Sequence, residues 1–206
     1  MQQQVQIMLD LQNDMNSRVH RDWREQNFAW YRAIWIECAE MLDHYGWKWW
    51  KKQSPDIEQV KLELIDIWHF GLSMLLLEGR TAAQVSDGVS KAYEHRESLR
   101  EFPEELEDFV TNILSYRRFD IPAFVRLMQT INLGFTELYA AYVGKNVLNF
   151  FRQDHGYQDG SYRKQWGGRE DNEHLVELVA ELDPLHADYK EQLYTALSQR
   201  YRDSAG

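Results

Sequence analysis

Apolar residues recur at three-and-four spacing over most of this chain, the period of an α-helix rather than of a strand. Only four Pro and eleven Gly interrupt the pattern in 206 residues. The spacing predicts helices over about 4–16, 27–46, 55–79, 82–99, 103–117, 121–154, 172–182 and 185–202, and no alternating run predicts a strand. The expected fold class is therefore all-α, a helical bundle built around two antiparallel helices, in a single domain over 1–206. Several helix ends carry their own signals. Ser54 before Pro55 predicts an N-cap with Pro at the first helical position, and Thr81 with Gln84 has the spacing of a capping box. The acidic run at 101–108 suits a helix start. Gly156 is placed to stop the helix that carries Arg152. Residues 157–171, YQDGSYRKQWGGRED, have loop chemistry, and long loops in compact domains are often functional.

Two pairs of acids break the helical pattern in an informative way. At about 100° per residue, Glu37 and Glu40 share a sector with Trp30, Ala33, Ile34 and Met41. Glu63 and Asp66 share one with Val60, Ile67, Phe70 and Met74. A single such pair is weak, because acids three apart are common on solvated faces. Two pairs on the apolar stripes of consecutive helices need compensation, since an unpaired buried carboxylate costs several kcal/mol. If the helices pack antiparallel across residues 46–54, the four acids converge. Hard oxygen donors without Cys or paired His favour Mg²⁺ or Mn²⁺ over softer metals. Asp66-x-x-His69 and Asp183-x-x-His186 keep a di-iron carboxylate bundle open as a rival, although such sites use Glu-x-x-His, which this sequence lacks. His69 alone also suits a hydrogen-bonded core position.

A basic stripe stands apart from the acids. Lys145, Asn149 and Arg152 fall at i, i+4 and i+7 of one helix, and the loop beyond adds Tyr157, Tyr162, Arg163 and Lys164. Such a cluster can hold a polyphosphate through charge-assisted forks. It also suits an ordinary helix end whose cations favour the C-terminal dipole. Net charge sharpens the choice. At −10 the chain is a poor partner for a nucleic-acid backbone, so a phosphate-bearing ligand must be met by metal ions or by a local basic cluster. Eight Trp and eleven Tyr supply ample packing material, which excludes disorder. The single Cys38 excludes an internal disulfide framework. No apolar run has membrane-spanning length and the first residues show no secretory pattern, so a cytoplasmic protein is expected.

The segments EcaE (37–40), YGWKWWKK (45–52), ElIDIWHF (63–70), GKNVLNFFRQDHGYQDGSYRKQW (144–166) and EDN (170–172) together resemble the dimeric, all-α dUTPases, relatives of the MazG-type nucleotide pyrophosphatases. The resemblance runs from about residue 9 to residue 172, and its 145–172 stretch is the most specific part. It implies a homodimeric enzyme that hydrolyses dUTP, and dUDP, to dUMP by attack on the β-phosphorus. By the same resemblance Glu37, Glu40, Glu63 and Asp66 would hold two or more Mg²⁺ ions, with Glu37 and then Glu40 favoured as the proton acceptor. Gln12 and Asn16 would read the uracil edge. Trp49 and Phe70 would pack on base and deoxyribose, with His69 close by. At least one Trp of WKWW is expected in the core. Lys51, Lys145, Arg152 and Lys164 would contact phosphates, and Asn149, Tyr157 and Asn172 would complete the sugar and phosphate contacts. A pyrophosphatase for another base and a non-catalytic helical module remain the alternatives.

Overall fold

The computed structural model describes residues 1–94 and 100–204. Among them lie nine α-helices and one two-stranded ladder, so the fold is all-α as expected. No helix among the described residues is long and apolar enough to cross a membrane. Contacts gather the chain into two compact units, Met1–Phe135 and Thr136–Gly206.

The first unit holds α1 (Gln2–Val19), a single 3₁₀ turn at Trp23–Glu25, α2 (Trp30–Tyr45), α3 (Ile57–Leu77), α4 (Ala82–Glu94), α5 (Phe102–Tyr116) and α6 (Ile121–Thr130). Helix α3 is apolar on nearly every side, which is the signature of a central, buried helix. Its Val60, Leu64, Ile67, Trp68 and Leu72 are wholly buried. Trp68 stacks on Phe124 of α6 with ring centroids 4.9 Å apart, and its indole N–H points to Met8 Sδ of α1 at 3.3 Å. Truncating a buried ring of this kind costs about 3–5 kcal/mol, which is the loss expected for Trp68→Ala.

Helices α2 and α3 run antiparallel. The late α2 residue His44 accepts from Asp56 N at 2.9 Å beside the start of α3, whereas the early Trp30 meets the later Phe70 at 6.1 Å between ring centroids. Helix α2 stops at Gly46, whose N–H reaches both Leu42 O and Asp43 O at 3.2 Å. The expected Ser54 cap is not used. Helix α3 starts two residues later, and its cap is Asp56, whose carboxylate accepts from Gln59 N at 3.2 Å. An acidic cap bonds an orphan amide of the first turn and adds favourable charge at the positive helix end, which explains the shift. The Thr81–Gln84 box does form, with Thr81 N to Gln84 Oε1 at 3.0 Å and Gln84 N to Thr81 Oγ1 at 3.3 Å. Residues 95–99 of the helix predicted over 82–99 lie outside the described residues.

The single helix predicted over 121–154 is two, α6 and α7 (Phe135–Asp154). Asn132 turns left-handed at φ +55°, a conformation Asn adopts at low cost, and Gly134 follows it. Ile131 and Leu133 stay buried across the break, so the apolar period runs on while the backbone does not.

The second unit contains α7 from Thr136 onward, β1 (Gln165–Trp166), β2 (Arg169–Glu170), α8 (Asp171–Glu181) and α9 (Tyr189–Asp203). The ladder pairs Gln165 with Glu170 and Trp166 with Arg169, and Gly167 and Gly168 between them both take positive φ. That is the backbone a two-residue hairpin turn needs, and two residues per strand are too few to show alternation in the sequence. At Gly144 the α7 backbone comes so close to α8 that a Cβ would stand 2.7 Å from Val179 Cγ2. Tyr189 of α9 donates to Ala140 O of α7 at 3.2 Å. Gly156 ends α7 at φ +88° as expected, with Tyr157 N bonded back to Arg152 O at 3.0 Å.

Candidate active site

In the first unit the antiparallel pairing of α2 and α3 brings Glu37, Glu63 and Asp66 together. Each offers a carboxylate oxygen within 4.8 Å of the other two. All three are half-buried. Burial, then the charges of Asp66, Glu63 and Glu40, then a hydrogen bond with Glu63, push the Glu37 carboxyl up to about 8. Like charges gathered in a poorly solvated place resist ionisation until a cation offsets them. The donor set is all oxygen, which fits a hard divalent ion such as Mg²⁺. One nitrogen stands nearby, His44 Nε2 at 3.5 Å from Glu63 Oε1.

Glu40 is not in this set. It is exposed on α2, beside the exposed Trp35, Ile36 and Ala39, although its charge still acts on Glu37. The apolar stripe of α2 is narrower than the sector drawn from the sequence: Ile34, Cys38 and Met41 are buried, and Glu40 lies at the edge.

A second polar group lies between α1 and α3. Gln12 donates from Nε2 to Asn16 Oδ1 at 2.9 Å and to Ser73 Oγ at 3.1 Å, and Asn16 Nδ2 donates to the same Ser73 Oγ at 2.9 Å. Ser73 in turn donates to His69 O at 3.2 Å. With its amide nitrogen so engaged, Gln12 presents Oε1 to His69 Nδ1 at 2.9 Å, which requires the Nδ1–H tautomer of His69. All four side chains are buried. Ser73 was not foreseen, although its i, i+4 spacing from His69 was a usable signal.

The turn between α2 and α3 corrects one expectation. No Trp of WKWW is in the core: Trp47, Trp49 and Trp50 are 45%, 88% and 57% exposed. They contact one another edge-on, at 5.2 Å for Trp47 with Trp50 and 5.4 Å for Trp49 with Trp50. A short connection that leaves α2 at Gly46 and is tied by Lys48 N to Gln53 Oε1 at 2.9 Å carries its rings outward. Lys51 is exposed there, and Phe70 is half-buried.

In the second unit the stripe on α7 meets an acid. Asp171, the first residue of α8, is fully buried and forks Arg152: Nε to Oδ2 and Nη2 to Oδ1, both at 2.8 Å. Tyr162 OH donates to Oδ2 and Asn172 N to Oδ1, also at 2.8 Å. Burial alone would raise the Asp171 carboxyl, but the Arg152 fork and charge, Tyr162 and the Asn172 amide outweigh it and hold it below the ordinary range. Arg152 further reaches Asn149 Oδ1 at 3.3 Å and Asn172 Oδ1 at 3.4 Å, and lies 5.9 Å from the Tyr157 ring centroid. Lys145 is half-buried on the same helix. Lys164 is paired with Glu170 at 3.2 Å. The structure thus unites Asn149, Arg152, Tyr157 and Asn172 around an aspartate that helical spacing could not disclose.

The di-iron rival finds no support. Asp183-x-x-His186 lies between α8 and α9, where exposed His186 accepts from Asp188 N at 3.2 Å and contacts Gln192 Nε2 at 3.1 Å. Among the described residues, Glu37, Glu63 and Asp66 are the one group of three or more acid, His or Cys side chains close enough to hold an ion.

A family model described as dUTPase matches residues 4–157, which takes in all four predicted metal-binding acids and the α7 stripe. The match stops short of Lys164 and Asn172. Among curated proteins, none matches the chain.

Proposed function

Because the chain belongs to the dimeric, all-α dUTPase family and is by that membership a dUTP diphosphatase, we propose that it hydrolyses dUTP and dUDP to dUMP in a Mg²⁺-dependent reaction. In this reading water attacks the β-phosphorus, and the enzyme works as a cytosolic homodimer. The observation that carries the metal dependence is the convergence of Glu37, Glu63 and Asp66 within 4.8 Å, with Glu37 pushed up to about 8. Glu40, exposed one turn along α2, is assigned to the same ion set because its charge already acts on Glu37. A bound divalent cation supplies charge neutralisation on phosphate oxygens and acidifies a water.

The remaining roles belong to the chain's own side chains. Glu37 accepts the proton of the attacking water, with Glu40 as the next choice, since Glu37 is the half-buried α2 carboxylate that stands with Glu63 and Asp66. Gln12 and Asn16, held by His69 and Ser73, read the donor and acceptor edge of uracil by exchanging bonds inside this cluster for bonds to the base. Trp49 and Phe70 cover base and deoxyribose. Lys51, Lys145, Arg152 and Lys164 contact phosphates, and Asn149, Tyr157 and Asn172 complete the sugar and phosphate contacts.

The dimer is supported by apolar surface within the first unit. A cleft of about 450 Å³ between α2 and α5 is lined by Trp35, Cys38, Ala39, Leu42, Leu106 and Val110 together with Glu107 and Thr111, and Trp35 and Ile36 are about half exposed. Large apolar side chains left half exposed, as Trp35 and Ile36 are, favour burial against a second copy. The test of the metal reading is turnover of dUTP in a Mg²⁺ titration against chelator, with light scattering on the same sample for the dimer. Full turnover in chelator would overturn the metal assignment, and a monomeric mass would overturn the dimer.

A further inference from the structure

We infer that Asp171 is a positioning residue for Arg152: from the head of α8 it fixes the guanidinium plane so that the Nη1 edge meets the polyphosphate. The inference rests on the reading of Arg152 as a phosphate ligand. Both oxygens of Asp171 are saturated, since Arg152 Nε, Arg152 Nη2, Tyr162 OH and Asn172 N all donate at 2.8 Å. A guanidinium has five N–H donors in one plane, so two bonds to one carboxylate fix that plane. Nε and Nη2 are turned to Asp171, and Nη2 also reaches Asn172. Nη1 spends one donor on Asn149, which leaves that edge as the one able to take an anion. The arginine then acts as an aimed hydrogen-bond donor rather than as a mobile cation.

The aspartate is itself held. Tyr162 stacks on Tyr201 of α9 with centroids 5.7 Å apart and planes within 10°, and the neighbouring Arg163 donates to Tyr201 O at 3.0 Å and Ser204 O at 3.2 Å. Helix α9 lies beyond the residues the family model matches, and it braces the loop that carries the tyrosine.

The experiment is a double-mutant cycle on the full-length enzyme with kcat/KM for dUTP, pyrophosphate inhibition and thermal midpoint as readouts. Asp171→Asn keeps the shape but loses the charged fork, and it should lower kcat/KM on the order of 10²-fold, the usual scale for a misplaced binding group. Arg152→Ala should cost at least as much, and Asp171→Asn added to it should cost less than about 2-fold more, since the residue it positions is gone. Pyrophosphate inhibition should weaken in step with Arg152 function. Tyr162→Phe keeps the ring stack and removes a single bond to Asp171. It should lower kcat/KM by roughly 3- to 10-fold, again only when Arg152 is present, and serves if Asp171→Asn does not fold. Losses that multiply fully in the double variant, or an Asp171→Asn enzyme with unchanged kcat/KM, would overturn the positioning role. An Arg152→Ala enzyme with unchanged kcat/KM would instead overturn the phosphate role of Arg152 and, with it, this inference.

Discussion

Gln12 Oε1 on α1 and His69 Nδ1 on α3 stand 2.9 Å apart, and the Nδ1–H tautomer of His69 follows from the engagement of the Gln12 nitrogen elsewhere in the cluster. The Gln12 nitrogen faces Asn16 and Ser73, and Ser73 Oγ, which gives its own proton to His69 O, is left to accept. Flipping the Gln12 amide would set its nitrogen against His69 Nδ1 and its oxygen against Asn16 Oδ1, so the His69 tautomer and the Asn16 amide would have to change with it. The proposed reader of the uracil edge is thus fixed before any nucleotide arrives.

Ser73→Ala is expected to loosen this cluster. The substitution removes the acceptor shared by Gln12 and Asn16 and leaves buried N–H groups unsatisfied, at a cost of about 1–3 kcal/mol by denaturant unfolding. Preference for dUTP over dCTP should fall by about tenfold or more in competition assays, since a pocket built on hydrogen bonds discriminates through their geometry. A variant that loses stability but keeps its preference would separate the cluster from base recognition.

The Glu37 carboxyl gives the metal-free protein a pH signature. Its folded pKa of about 8 lies above the ordinary 4.5. Between those values the folded state keeps a proton that the unfolded state has lost, so this group makes stability fall as pH rises from about 4.5 to about 8, and adds no slope above that. The slope from one group is at most about 1.4 kcal/mol per pH unit. Denaturant unfolding in chelator across this range should show the decline in wild type and a flatter profile in Glu37→Gln. Below pH 8, Mg²⁺ binding should release protons, measurable by calorimetry in buffers of different ionisation enthalpy.

The helices were legible because burial of one face imposes a 3.6-residue period, and α2 and α3 carry that period with acids set into it. Convergence of Glu37 with Glu63 and Asp66 followed from antiparallel packing, which a short turn between two helices nearly enforces. Glu40 was harder, because a helical wheel gives direction but not the width of the buried stripe, and the partner helix decides that width. The break at Asn132 was hidden since Ile131 and Leu133 stay buried through it. Asp171 was out of reach for a different reason. It stands 19 residues from Arg152, in an acidic EDN run that reads locally as a helix start, and its partner is set by how α8 packs on α7.

Stability and activity should move in opposite directions at the acid cluster. Asp66→Asn and Glu40→Gln are each expected to lower dUTP turnover by at least ~100-fold while helical circular dichroism is retained, because both remove a hard ligand without removing bulk. In chelator, Asp66→Asn should raise the melting temperature, since it relieves the repulsion that burdens Glu37. A Glu40→Gln enzyme with near wild-type turnover would restrict the ligand set to the three acids that already converge.

The last expectation is that dUDP is hydrolysed to dUMP along with dUTP. If water attacks the β-phosphorus, the bond that breaks joins that phosphorus to the oxygen bridging to the α-phosphorus, and dUMP leaves with that oxygen. The γ-phosphate is not part of the leaving group, so its absence removes contacts from the Lys and Arg set rather than a step of the chemistry. KM for dUDP should therefore rise more than kcat falls, which is the pattern of lost uniform binding. In isotope-labelled water the label should enter the pyrophosphate released from dUTP and the orthophosphate released from dUDP, and dUMP should carry none. Mass spectrometry of the products decides the point. Label in dUMP would place the attack on the α-phosphorus, and inertness toward dUDP would mean that the γ-phosphate is needed to assemble Glu37, Glu40, Glu63 and Asp66 into a working site.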